Sequence, residues 1–284
     1  MSKQFVALGL TLVMAACSTE PGAAQDWRTV TQSRRSAGEE RLEVVVEYGA
    51  GRLRVEPATP GTLYRATLRY DAERFTPVTE YRDGRLRIGI GGSRVRGKTK
   101  EGGRLDLAVG TDVAVDLDME FGAGTAELEL GGLRILSAEL STGASDVHVR
   151  FSSPNPERAR LIALEAGAAS MHAYGLGNAN AERVRFAGGV GEVVLDFTGE
   201  WRADMRADVE MGIGSLTLRV PEGLGVRVIK DSFLTSFDSE GLIKRGGSYY
   251  SQNWDTAAHK LTINVDAAFG SIDVEWVEPA TASN

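Results

Sequence analysis

The stretch Val115-Asp-Leu-Asp-Met-Glu-Phe-Gly-Ala-Gly124-Thr-Ala-Glu-Leu-Glu-Leu130 decides the fold. In its first half Val115, Leu117, Met119 and Phe121 alternate with Asp116, Asp118 and Glu120. That period of two marks a half-buried strand. After Gly122-Ala-Gly124 the apolar positions are Ala126, Leu128 and Leu130. The inward parity has changed across the glycines. A continuous straight strand would turn its second apolar set to solvent after such a step. The chain must therefore bend or bulge at the glycines so that both arms face one core. Glycine suits this because it accepts positive φ and close backbone approach.

The same corner recurs along the chain. Copies run Tyr48-Gly-Ala-Gly51, Phe121-Gly-Ala-Gly124, Thr142-Gly-Ala-Ser145, Ala166-Gly-Ala-Ala169, Gly188-Gly-Val-Gly191, Met211-Gly-Ile-Gly214 and Ala267-Ala-Phe-Gly270, each followed by alternating apolar residues. From Gly124 to Gly214 the markers return every 21 to 24 residues, the range of stacked solenoid rungs. Met211 gives way to Leu216 and Ala267 to Ile272, with the parity switch of the first copy. The corner positions Gly49, Gly51, Gly122, Gly124, Gly143, Gly191, Gly212, Gly214 and Gly270 are read as structural. The corners lack the Asn-Gly and Asp-Gly pairs of tight hairpins, which disfavours a set of independent hairpins. No segment longer than two turns has a helical period. The expected fold is all-β, a stacked strand repeat over residues 41–276, with residues 277–284 as a disordered tail.

Two longer steps hold insertions. Glu56 to Gly110 contains candidate strands at Leu63–Tyr70, Thr79–Tyr81 and Leu86–Ile90. Asp231 to Gln252 is an excursion rich in Ser, Gly and aromatics, followed by Trp254. Tyr249, Tyr250 and Trp254 suit either an exposed platform for a sugar or protein, or a cap over the open end of the stack. The cap is the favoured reading.

The N-terminus reads differently. Lys3 precedes a short apolar run, and Ala15 and Ala16 lead to Cys17, the only cysteine in the chain. The run is too short to span a bilayer and has the form of an export signal. Residues 18–40 are polar and without period, and residues 17–40 are read as a flexible tether. A net charge of -7 argues against nucleic-acid partners and against adhesion to anionic lipid.

Two resemblances follow from these residues. Met14-Ala15-Ala16-Cys17 resembles the lipobox of bacterial lipoproteins, which implies removal of residues 1–16, lipid attachment at Cys17 and tethering to the cell envelope. Ser18 after the cysteine is compatible with the outer membrane if the host is Gram-negative. Residues 42–276 resemble the toast-rack β-repeat domains, including the β-rich part of LiaF-like cell-wall-active-antibiotic response proteins. The matching segments are Leu42–Val55, Val115–Gly124, Leu133–Asn155 and Ala267–Trp276. That resemblance implies stacked strands at the bacterial envelope and no established catalytic residues. The membrane-spanning segments of the LiaF-like proteins are replaced here by the lipid signal.

Catalytic and metal signals are thin. Gly92-Ser-Arg-Val-Arg-Gly-Lys98-Thr99 matches the phosphate-loop pattern, but Gly102-Gly103 and renewed alternation from Leu105 exclude the helix that such a loop requires. A charged surface loop is expected there, and no nucleotide. Asp116, Asp118 and Glu120 are spread about 7 Å apart by strand geometry, too wide for one ion. Arg52 and Arg54 are their expected cross-strand partners. His148 and His172 occupy equivalent places in adjacent repeats and are expected to stack; with His259 they fall in no metal-ligand spacing. Asp204, Asp208 and Glu210 are available for a β-helix hydrolase, but their spacing is not distinctive. No nucleophile motif is present. The expected function is a non-catalytic, lipid-anchored envelope module without cofactor or metal. It would bind an envelope protein, with a cell-surface glycan or matrix ligand as the alternative.

Overall fold

The computed structural model describes residues 26–91, 102–232 and 234–278. Cys17 with the apolar run before it, the phosphate-loop match at Gly92–Thr99 and the last six residues lie outside them. The described residues form strands and connections without a helix. In chain order the strands are β1 (Trp27–Arg35), β2 (Arg41–Pro57), β3 (Thr62–Asp71), β4 (Thr76–Arg82), β5 (Arg85–Gly91), β6 (Gly103–Val109), β7 (Ala114–Glu129) and β8 (Arg134–Arg150). Then come β9 (Ala159–Tyr174), β10 (Ala181–Asp196), β11 (Met205–Pro221), β12 (Gly225–Ser232), β13 (Thr235–Asp238), β14 (Leu242–Arg245), β15 (Ser248–Ser251) and β16 (Lys260–Val277).

The seven strands that carry the repeated corner are also the longest. β2, β7, β8, β9, β10, β11 and β16 run side by side in that order, each parallel to the next. The register aligns every corner: Gly51 with Gly124, Gly124 with Ser145, Ser145 with Ala169, Ala169 with Gly191, Gly191 with Gly214, and Gly214 with Gly270. Both arms of each strand bury their apolar parity. In β7 these are Val115, Leu117, Met119 and Phe121 before the corner, and Ala126 and Leu128 after it. Only residues 130–133 link β7 to β8, so the end of one arm lies close to the start of the next. Each strand is thus folded on itself around a shared core, and the stack is one continuous apolar cluster. Tyr48 and Phe121, neighbours in that ladder, stack at 6.1 Å between ring centroids. A fully buried side chain of this size contributes about 1.5–3 kcal/mol.

Both ends of the stack use a rung cut at its corner. β5 pairs with the first arm of β2 and β6 with the second. β12 and β13 do the same for β16. What the sequence presents as insertions therefore contains rungs of the repeat. Antiparallel strands close the ends: β3 and β1 beyond β6, β4 on β5, and β15 and β14 beyond β12.

The segment expected as a flexible tether, residues 17–40, contains a strand. Residues 27–35 form β1, paired along its length with β3. Its side chains are largely exposed, so it is held through backbone hydrogen bonds and shows no apolar alternation in the sequence. At the other end β16 runs through Val277, one residue beyond the expected domain boundary.

Candidate functional site

The corner is built from three columns of residues that run along the stack. The first is Gly49, Gly122, Gly143, Gly167, Gly189 and Gly212. A Cβ on Gly122 would meet the Gly49 carbonyl oxygen at 2.1 Å, and one on Gly212 the Gly189 oxygen at 2.4 Å. The second column holds Gly51, Gly124, Gly191, Gly214 and Gly270, interrupted by Ser145 and Ala169. Gly214 has a φ of +148° and its Cβ would stand 1.8 Å from the Gly191 oxygen. Ser145 and Ala169 stand in that column without a left-handed φ.

Between the glycine columns one residue per strand stands on the crest of the fold. The pairing aligns Ala50, Ala123, Ala144, Ala168, Val190, Ile213 and Phe269 in one row. Val190 is 55% exposed, Ile213 52% and Phe269 43%. Leu234, 70% exposed, precedes Thr235, the partner of Gly270, and so extends the same end of the row. These are among the few large apolar side chains that the fold leaves exposed. The sequence carries the signal, since the middle residue of the corner is apolar in all seven copies, but the core alternation on either side says nothing about a residue pointing away from it.

On the first-arm side of the crest lies a groove floored by the first glycine column. Ala166, Gly167, Gly188, Gly189, Met211 and Gly212 line it over the later rungs. A second stretch lined by Gly49, Gly122 and Gly143 adjoins it at Ser141 and Thr142. The opposite bank is a row of outward residues in register: Glu47, Glu120, Ser141, Glu165, Ala187, Glu210 and Asp266. Arg87 pairs with Glu47. Among the described residues no salt bridge reaches Glu120, Glu165, Glu210 or Asp266. The site is therefore a glycine-floored channel with an anionic bank, and the apolar crest, one residue beyond the floor on each strand, runs alongside it.

The other residues singled out by sequence lie away from this channel. Asp116 does not face Arg52 or Arg54. Corner register sets those arginines beside Thr125 and Glu127 on the second arm, while Asp116 is on the first. Its partners are Arg41 at 2.6 Å, Arg160 at 3.2 Å and the Ser137 hydroxyl, which donates to it at 2.6 Å. Burial alone would raise the Asp116 pKa. The hydrogen bonds from Ser137 and Arg41, with the charges of Arg41 and Arg160, outweigh it and hold the carboxyl below its usual value. A folded-state pKa below the unfolded one contributes stability above the unfolded value, near 4, and that contribution is lost as pH falls through the folded value. Asp116→Asn is expected to cost about 1–2 kcal/mol at pH 7 and to flatten the acid side of the stability profile. Urea melts from pH 7 down to pH 2 check this, and an unchanged acid slope would refute it.

His148 and His172 stack at 5.1 Å on the outer face of the second arm, as their repeat positions require. His148 Nε2 lies 3.2 Å from Asp146, and His172 bonds Ser170 and Tyr174. Asp208 is taken up by Arg183, Arg206 and Asn264, and Asp204 accepts the Lys260 backbone N–H. Among the described residues no group of three His, Cys, Asp or Glu is placed to hold a metal ion. Tyr249 and Tyr250 lie on β15 at the end of the stack, with Tyr250 edge-on to Trp254 at 5.5 Å and Tyr249 edge-on to Phe237 at 4.8 Å. Arg227 and Arg245 lie over Tyr250, Lys244 over Tyr249 and Lys260 over Trp254. Cations stand where a sugar ring would stack, and the group covers the end of the β-stack, as a cap does.

No curated protein matches the chain. Among solved structures, a candidate cell adhesion protein from Clostridium sporogenes is 13% identical with a TM-score of 0.47, over 89% of this chain and 100% of that one. A candidate adhesin from Bacteroides fragilis is 12% identical with a TM-score of 0.39, over 88% and 97%. A candidate lipid binding protein from Parabacteroides distasonis is 11% identical with a TM-score of 0.35, over 88% and 96%. Similarity this distant bears on neither ligand nor partner. The model for the N-terminal domain of toast_rack, DUF2154, matches residues 23–174, more than half of the 284 residues. Matched over the rungs where corner, parity and register coincide, the chain belongs to the toast_rack family.

Proposed function

We propose that the protein is a non-catalytic interaction module, held at the cell envelope by lipid on Cys17, that binds another envelope protein along its crest. The row Val190, Ile213 and Phe269 carries this reading. Each side chain is exposed on a scaffold whose core does not need it, and contiguous exposed apolar rows on soluble folds mark contact surfaces. The apolar run ending at Cys17 supports the anchor. A lipid anchor would also restrict the module to one surface and raise its effective concentration toward partners there. The glycan reading finds less support, because the aromatic cluster that suggested it is engaged by its own cations.

A photocrosslinking residue placed at position 213 in intact cells tests the role, beside the same residue at position 118 on the outer first arm. A discrete crosslinked protein from position 213, absent from position 118 and reduced by Cys17→Ala, is the expected result. Equal crosslinking from both positions would sink the reading. Palmitate labelling lost in Cys17→Ala checks the anchor separately.

A further inference from the structure

We infer that the channel beside the crest is a docking groove for an amphipathic α-helix of a partner protein, one that carries a basic stripe next to an apolar stripe. The inference rests on the interaction-module reading and names the chemistry of its partner.

The floor rules out one common mode. The first glycine column lies inside the ladder, flanked by paired strands on both sides. Added-strand recognition needs a free sheet edge, so an occupant here must be recognised through side chains. Those side chains present a fixed repeat. Rungs are spaced about 4.8 Å apart, and each offers one crest residue and one residue of the acidic row. An extended peptide laid along the stack would present same-face side chains every 6.6–6.8 Å or so, out of step with the rungs. An α-helix returns to the same face every turn of about 5.4 Å, which stays near the rung spacing over three or four turns. The width agrees as well. Glu210 and Ile213 stand three residues apart on a strand that bends here, so they lie at most about 10 Å apart, which leaves room for one helix and no more.

Charge fixes the second stripe. Glu120, Glu165, Glu210 and Asp266 line one bank with no salt bridge among the described residues. Asp231, in register with Asp266, extends the row into the end rung. The net charge of the chain is -7. A helix with lysine or arginine on that side gains from each rung that carries a carboxylate, all but those of Ser141 and Ala187, whereas an acidic helix or an anionic lipid surface is repelled. Along the crest beside the groove the apolar side chains grow from alanine at Ala168 to Val190, Ile213 and Phe269. The tightest contact is therefore expected over β10, β11 and β16.

The test uses full-length protein in phosphatidylcholine nanodiscs, with empty discs as baseline, and three labelled helical peptides of eighteen or so residues. One has adjacent leucine and lysine stripes, the second leucine and glutamate, the third serine and lysine. Anisotropy is expected to show the leucine–lysine peptide binding at least tenfold more tightly than either control. Ile213→Ser with Phe269→Ser should weaken it at least tenfold. Glu210→Gln with Asp266→Asn should weaken it several-fold and flatten its salt dependence. All four positions are solvent-facing, and thermal melts of both variants confirm folding.

Equal binding of the serine–lysine peptide, or full binding by the Ile213/Phe269 variant, would overturn the inference. Equal binding of the leucine–glutamate peptide, lost in that variant, would remove the basic partner and leave the crest as a contact surface. Crest-dependent dimers in sedimentation would assign the groove to a second copy instead. Binding of no peptide overturns the helix; the interaction-module reading then stands or falls on crosslinking at position 213.

Discussion

Gly214→Ala is expected to destabilise the protein by about 4 kcal/mol or more, enough to unfold a domain of ordinary stability. Two costs add. The residue sits at φ +148°, where an L side chain is strained. Its new Cβ would also lie 1.8 Å from the Gly191 carbonyl oxygen, in a ladder fixed on both sides. Relief would require Gly191 and Gly214 to separate, breaking register between β10 and β11 along the corner. Ala168→Ser, in the crest row of the neighbouring rungs, is the matched control and is expected to be nearly neutral. Urea melts of both variants decide it. If Gly214→Ala loses no more than Ala168→Ser, the close packing of the second glycine column is not what holds the corner.

The second large effect is expected at Asn155. This side chain is fully buried in the connection between β8 and β9. Its Oδ1 accepts from the backbone N–H of Ile135 at 3.0 Å and of Glu157 at 3.2 Å. Its Nδ2 donates to the carbonyls of Ile135 at 2.9 Å and Ala179 at 3.1 Å. One amide thus links the start of β8 to its own connection and to the connection between β9 and β10. Asn155→Ala strands several buried backbone groups, each costing about 1–3 kcal/mol when unpaired, and a net loss of about 3–4 kcal/mol is expected. Asn180→Gly is the comparison, glycine being chosen because Asn180 has a φ of 48° at which alanine would add backbone strain. Asn180 Nδ2 donates to Glu157 O, its side chain is only partly buried, and water can replace what it loses. Hydrogen exchange should show the Ile135 and Glu157 amides, which donate to the Asn155 Oδ1, losing protection first in Asn155→Ala. A loss below about 1 kcal/mol would mean that these connections are held by their apolar residues alone.

The architecture was legible where the sequence repeats itself. Marker spacing fixed the rungs, and the switch of parity from Phe121 to Ala126 fixed the bend, because both follow from burying one face of a strand. Three things were hidden for separate physical reasons. β1 is an end strand held by its backbone, so its side chains answer to solvent and carry no period. The partners of Asp116 depend on which arm each arginine occupies, and that is decided by corner register rather than by proximity in sequence. The crest was hidden because the residue between two glycines contributes nothing to the core on which pattern reading relies. The aromatic cluster was read for the right place, the end of the stack. The cations over its rings come from β12, β14 and β16 and could not be seen from the cluster itself.

The rungs cut at their corners, β5 with β6 and β12 with β13, give the molecule two unlike ends and an interior of interchangeable units. Growth is then possible only in the middle. Duplicating one unit between β8 and β11 would insert about 4.8 Å of length and leave both ends as they are. It would also add one crest residue and one outward residue, so the groove lengthens by a single step while the rest is copied unchanged. Such a chain behaves as a graduated rule, with its span set by the number of units and its markings written in residues that folding leaves free to vary.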